Sequence, residues 1–233
     1  MSGDKSEIRV HHRVIQFIHE AGLKLQMRAI TLATASVIYH KFFRCNNVKD
    51  YDPYLVATTA MYLASKTEEN LSKLRDVINV CYRTLHKNRR PLEIGDDYWA
   101  IRKSVAQCEL FIMRMLNFKV VFSHPHKYML HYIKSLRDWF EPYQWERLPV
   151  ARTAWALLRD SYYDSTICLC YKPQHIAIAM IYFALQAHGT EVPFTKEADT
   201  KWWKAFDEDV SVETIQDIIV CLMDMYDYEN MVR

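Results

Sequence analysis

Glycine is what this 233-residue sequence has least of: four residues, Gly3, Gly22, Gly95 and Gly189, where average usage is about 7%. That scarcity disfavours turn-rich sheets and phosphate-cradling loops, and no GxGxxG, Walker, GxSxG or HExxH pattern occurs. Charge of one sign is lacking too. Lys and Arg number 30 against 28 Asp and Glu, a net +2, which gives no electrostatic case for nucleic acid. The basic run His86-Lys87-Asn88-Arg89-Arg90 is short and reads as a solvated loop. The longest apolar run, Ile176 to Leu185, is half of the roughly 20 residues that span a bilayer, so no membrane association is expected. MSGDKSEIRV, at the start, has no apolar core resembling a signal peptide. The six cysteines show no CxxC spacing and mostly lie in apolar helical patterns, where a thiol is a small hydrophobe. A reducing compartment, nuclear or cytoplasmic and not secretory, is the expectation.

What is present is helix. Half of the residues are hydrophobic and a quarter charged, the balance of a globular protein. The stretch Asp52 to Glu69, DPYLVATTAMYLASKTEE, opens on an N-cap and a first-turn proline and then has apolar or small residues on nearly every side. A helix without a polar face is a buried one, so this segment is expected at the centre of a bundle. Around it the spacing predicts helices over Ile8–Ala21 (with Gly22 as its C-terminal cap), Met27–Phe43, Leu71–Leu85 and Asp97–Leu116. After a brief extended link at Lys119–Phe122, further helices are expected near Pro125–Phe140, Gln144–Tyr163, Pro173–His188, Thr200–Asp207 and Val212–Tyr228, the last capped by Ser211. Cys168, Cys170 and Tyr171 read as a short extended entry to Pro173.

Two sets of five invite a test for repetition. Shifting the chain by 120 residues sets Pro53 on Pro173, Ala57 on Ala177, Tyr62 on Tyr182 and Ala64 on Ala184, with Lys66 falling on Gln186. The expected fold class is therefore all-α, two tandem five-helix units over residues 1–122 and 123–233.

No catalytic, cofactor-binding or metal-ligating set emerges. His124, His126 and His131 lack ligand spacing and suit structural or surface roles; Cys168 and Cys170 are too close for an unstrained disulfide. Glu68 with Glu69, and Asp96 with Asp97, lie at helix ends where solvation accounts for them. Trp202 and Trp203 suit a short helix over the second core. The charges that stand out are Lys66, at the end of the buried helix, and Glu109, inside the apolar segment QCELFIMRMLNF. Spacing leaves two readings open: an intramolecular pair between two helices, or contacts for a partner.

ASKTEE at 64–69, with Glu109 followed by Met113, Leu116 and Phe118, resembles the cyclin box, and tandem boxes resemble a minimal cyclin from about Glu7 to Tyr228. Longer strings (YHKFF at 39–43, YDPYL at 51–55, RDVINV at 75–80, HPHKY at 124–128, TAWALLRDSY at 153–162) narrow the resemblance within that family. It implies a non-enzymatic regulatory subunit, without cofactor or small-molecule substrate. The implied partner is a cyclin-dependent serine/threonine kinase bound as a heterodimer, most specifically cyclin-dependent kinase ten. Lys66 and Glu109 would hold backbone groups beside the kinase's regulatory helix, with apolar contacts from Leu110, Met113 and Phe118, and the kinase would supply its own magnesium ligands. Two rivals stay within reach of the same residues: a general-transcription cyclin with another kinase, and a double-box transcription scaffold. Two departures from cell-cycle members are visible. His40 stands where those members have an Asp that pairs with an Arg. MRAIT at 27–31 imitates their substrate-docking motif, but register puts that patch at Val10–Val14, so docking of Arg-x-Leu peptides is not expected.

Overall fold

Asp52 accepts the amide proton of Tyr54 at 2.9 Å and Pro53 fills the first turn, so the central helix α3 (Pro53–Thr67) starts where its sequence directs. In the computed structural model, which describes residues 5–193 and 201–232, α3 is joined in the first unit (Met1–Phe122) by four helices. These are α1 (Lys5–Lys24), α2 (Ala29–Cys45), α4 (Leu74–Leu85) and α5 (Asp96–Met115). All four pack on α3. Val56, Ala57, Ala60, Met61, Leu63 and Ala64 are each at most 3% exposed, so the helix is enclosed on every side. Its hydroxyls are satisfied within the bundle: Thr58 and Thr59 donate back to the Tyr54 and Leu55 carbonyls at 2.8 Å, and their oxygens also meet the thiols of Cys81 on α4 and Cys108 on α5. Left unmade, each buried hydroxyl would cost about 1–3 kcal/mol.

The helix α1 runs past Gly22 to Lys24. Its left-handed terminal residue is Gln26 (φ 55°), and Met27 N–H closes the turn on the Gly22 carbonyl at 2.9 Å. Gly22 is therefore not the cap. It sits where α1 meets α2, and a Cβ there would lie 2.1 Å from Leu32 Cδ2.

The second unit (Ser123–Arg233) repeats the plan around α10 (Pro173–Ala187), against which α6 (Pro125–Arg137), α8 (Val150–Ser161) and α11 (Val212–Val232) pack. Two short helices are added, α7 (Pro142–Arg147) and α9 (Ser165–Cys170). The single helix expected over Gln144–Tyr163 is broken because Leu148 is extended (ψ 115°) before Pro149. The extended segment expected at Cys168–Cys170 is instead helical, nucleated by the Asp164 side chain accepting from the Thr166 and Ile167 amides; only Tyr171 is extended. Ser211 caps α11 through the Thr214 amide at 3.2 Å. Thr200 lies outside the described residues, and Trp202–Ala205 form a 3-10 turn whose Trp203 is buried against Tyr182. His124 is buried with Nδ1 2.9 Å from Tyr162 Oη, and His126 stacks on the same tyrosine ring. Among the described residues no helix is long and apolar enough to cross a membrane.

Candidate functional site

The enclosed helix α3 presents an exposed residue at its last turn. Lys66 lies there, its ammonium over the Tyr62 ring at 4.2 Å to the centroid and paired with Glu109 Oε1 of α5. The Lys66 side chain is 40% exposed and that of Glu109 15%. The structure thus brings together the two charges that the sequence singles out. Intramolecular pairing leaves two ammonium protons and one carboxylate oxygen uncommitted by this bond, so the pair and a partner contact are compatible.

The other expected site residues lie on the same helix or just after it. Leu110 is 58% exposed, Met113 is half-buried, and Phe118 is 63% exposed. Val121, which the sequence reading passed over, is 86% exposed. Leu110, Phe118 and Val121 are thus large apolar side chains left in water along the end of α5 and the segment that follows it. Phe118 is held outward by its backbone. After α5, Asn117 (φ 49°) and Phe118 (φ 59°) are both left-handed, with the Asn117 amide bonded to the Arg114 carbonyl at 3.0 Å and the Phe118 amide to the Met113 carbonyl at 2.8 Å. That conformation is unusual for a residue as bulky as phenylalanine.

The tip of α3 is fixed by residues that carry no obvious signal in the sequence. Its terminal turn closes through Asn70 N–H to the Ser65 carbonyl at 2.9 Å, with Glu69 left-handed (φ 50°). The Glu68 carboxylate, expected to be simply solvated, accepts from the buried Thr34 hydroxyl at 2.6 Å, and the Glu68 carbonyl accepts from the Arg28 guanidinium. Asn70 Oδ1 takes the Arg28 amide at 2.9 Å and the Thr31 hydroxyl at 3.1 Å. Only Glu69 of the acidic pair is exposed. MRAIT therefore lies at the α1–α2 junction, Met27 buried and Arg28 engaged within the chain. Val10–Val14 lies on α1 with Val14 fully buried and Arg13 exposed. His40 is buried beside the Tyr39 ring.

Residues 1–121 match the family model for the cyclin N-terminal domain, and residues 146–224 match that for the Cyclin-T2-like C-terminal domain. Cyclin pch1 of Schizosaccharomyces pombe is 30% identical over 225 residues, 96% of this chain and 63% of that protein. Human Cyclin-K is 27% identical over 223 residues, 95% of this chain and 37% of that protein. The chain thus spans less than two thirds of these curated relatives. Among solved structures, a chain of the yeast RNA Pol II CTD kinase CTDK-1 complex superposes with a TM-score of 0.76 at 19% identity, covering 97% of this chain and 67% of that one. A chain of the CAK complex from Chaetomium thermophilum gives 0.65 at 15% identity, covering 96% and 62%. With more than half its length matched by the N-terminal model and its helical fold shared with these chains, this chain belongs to the cyclin family, whose members are regulatory subunits of kinases and not enzymes themselves.

Proposed function

We propose that this chain binds a cyclin-dependent serine/threonine kinase through its first unit and activates it by positioning the kinase's regulatory helix. The observation that carries this reading is the charged pair Lys66–Glu109, surface-facing, with Leu110 bared next to Glu109 in the chain and Phe118 bared just after the same helix. Such a face has uncommitted donors and acceptors for backbone groups of a partner helix, and apolar side chains that lose water when it docks. Met113, half-buried between them, completes the apolar contact. Activation is then a population shift: the subunit binds the productive helix position better than the idle one. The second unit has Gln186 where the first has Lys66, and its amide donates to Tyr182 at 3.1 Å, which supports a role for the first unit alone.

The partner proposed is cyclin-dependent kinase ten, because the strings at 39–43, 51–55, 75–80, 124–128 and 153–162 resemble those of cyclin Q, also called cyclin M, its activator. A second reading is favoured by the Cyclin-T2-like match over 146–224 and by the Cyclin-K relatives: a transcription cyclin serving a different kinase. The place of action proposed is the nucleus or the cytoplasm, and the nucleus under the second reading.

Co-purification of the tagged chain from cells, with the kinase identified by mass spectrometry, tests the partner. Recovery of kinase ten supports the first reading and recovery of another cyclin-dependent kinase the second. Lys66→Ala and Glu109→Ala test the site. Removing either leaves kinase groups unpaired at a desolvated contact, which costs about 2–5 kcal/mol of binding. Folding changes by less than about 1 kcal/mol, because the pair is partly exposed and water reaches the survivor. Gln186→Ala is the control and keeps binding. Large melting losses with kinase binding retained would remove the pair from the interface.

A further inference from the structure

The terminal turns of α3 and α10 have the same geometry. In the second unit Thr190 N–H bonds to the Leu185 carbonyl at 3.0 Å and Gly189 N–H to the Gln186 carbonyl at 3.0 Å, with Gly189 left-handed at φ 60°. In the first unit, 120 residues earlier, Asn70 N–H bonds to the Ser65 carbonyl and Glu69 N–H to the Lys66 carbonyl, with Glu69 left-handed at φ 50°. Glycine holds that conformation without cost, whereas glutamate does not. A residue in such a conformation persists where its surroundings over-determine it. Here they do. Glu68 and Asn70, on either side of Glu69, are bonded to Arg28, Thr31 and Thr34 at the start of α2 by four hydrogen bonds.

From this we infer that Arg28, Thr31 and Thr34 form a latch that sets the position of Lys66, and that they are positioning residues for the kinase contact. The inference rests on the reading of Lys66 as a kinase-binding residue. The mechanical link is short. Lys66 supplies the carbonyl that the Glu69 amide bonds, so the turn that the latch holds is the turn that carries the ammonium. Without the latch the strained turn has an alternative in which Glu69 leaves the left-handed region, the last turn of α3 frays, and Lys66 no longer stands at Glu109. The subunit would then contain a competent Lys66 for only a fraction of the time, and its apparent affinity would fall by that fraction.

The test is a double-mutant cycle on the full chain, with the catalytic subunit recovered with the wild-type chain (cyclin-dependent kinase ten under the reading above) as the binding partner. Thr34→Val keeps the volume and removes the hydroxyl, Thr34→Ser keeps the hydroxyl, and Asn70→Ala removes the acceptor shared by Arg28 and Thr31. Thr34→Val and Asn70→Ala should each weaken kinase binding by about tenfold, and Thr34→Ser should retain it. In a Lys66→Ala background, Thr34→Val should weaken binding by less than about twofold further, because the residue being positioned is gone. A merely structural role would lower affinity by the same factor in both backgrounds, and that result overturns the latch. Unchanged affinity in both Thr34→Val and Asn70→Ala, with Lys66→Ala still impaired, overturns the latch and leaves the proposed function standing. Unchanged affinity in Lys66→Ala overturns the proposed function and the latch with it. Where Thr34→Val fails to fold, Asn70→Ala, altered in a loop outside the core, decides by the same criteria.

Discussion

Gly22 lies so close to Leu32 that an added Cβ would stand 2.1 Å from Leu32 Cδ2 and 3.2 Å from its Cγ. The glycine is there to let α1 and α2 approach, and the left-handed work at the end of α1 belongs to Gln26. Two effects oppose each other in Gly22→Ala. Helix propensity favours alanine by about 1 kcal/mol. Overpacking against a side chain that is itself only 5% exposed costs about 1–3 kcal/mol. The clash should win, lowering stability by about 1 kcal/mol in urea unfolding. A stabilised variant would show that Leu32 rotates away freely and that the close approach carries no constraint.

Phe118→Gly should move stability and binding in opposite directions. The side chain is 63% exposed and its φ is 59°, so the native fold loses little packing and sheds a strain of about 1 kcal/mol. Glycine's extra freedom in the unfolded chain offsets part of that. The melting temperature should therefore hold or rise, while kinase association falls as the bared aromatic is removed. A clear drop in melting temperature would mean that Phe118 packs inward in solution; undiminished association would take it off the proposed face.

Acid should weaken the second unit through His124. Burial pushes this histidine down to about 4 from its ordinary value of 6.5. Because the folded value lies below the unfolded one, the unfolded chain binds the proton first. The stability contribution is complete above pH 6.5 and is lost as pH falls from there towards 4, in total about 3 kcal/mol. His124→Gln, which retains a polar group for Tyr162, should flatten the dependence of melting on pH across that window. A profile as steep as that of the wild type would assign the acid sensitivity to other groups.

Much of the fold is written locally. Asp52 with Pro53, and Ser211, act on amides two or three residues away, and α3 and α10 show their burial in having no polar face. Such signals travel within a single turn of helix and need no knowledge of tertiary structure. The failures have the opposite character. Gly22 has its role because of Leu32, ten residues on and in the next helix. Glu68 reads as a solvated end residue until Thr34 is folded against it. Asp164 and Pro149 redirect short segments whose composition alone suits either state. Lys66 and Glu109 were legible because a charge in apolar company is anomalous in any register. Arg28, Thr31, Thr34 and Asn70 are ordinary polar residues individually, and only their convergence on one turn distinguishes them.

The enclosure of α3 separates two kinds of mutational outcome along one helix. From Val56 to Ser65 nearly every side chain is buried, with Tyr62, the residue beneath the Lys66 ammonium, half-buried. Substitutions over the buried span change how much subunit is folded and leave the choice of partner alone. Beyond it Lys66 and Glu69 meet solvent, and under the proposed function substitutions at these two positions change which partner is accepted at nearly constant folding. A library confined to Lys66, Glu69 and the exposed residues of α5 would therefore, under that proposal, sample kinase preference with few unfolded members, whereas one spread over the buried span would sample abundance.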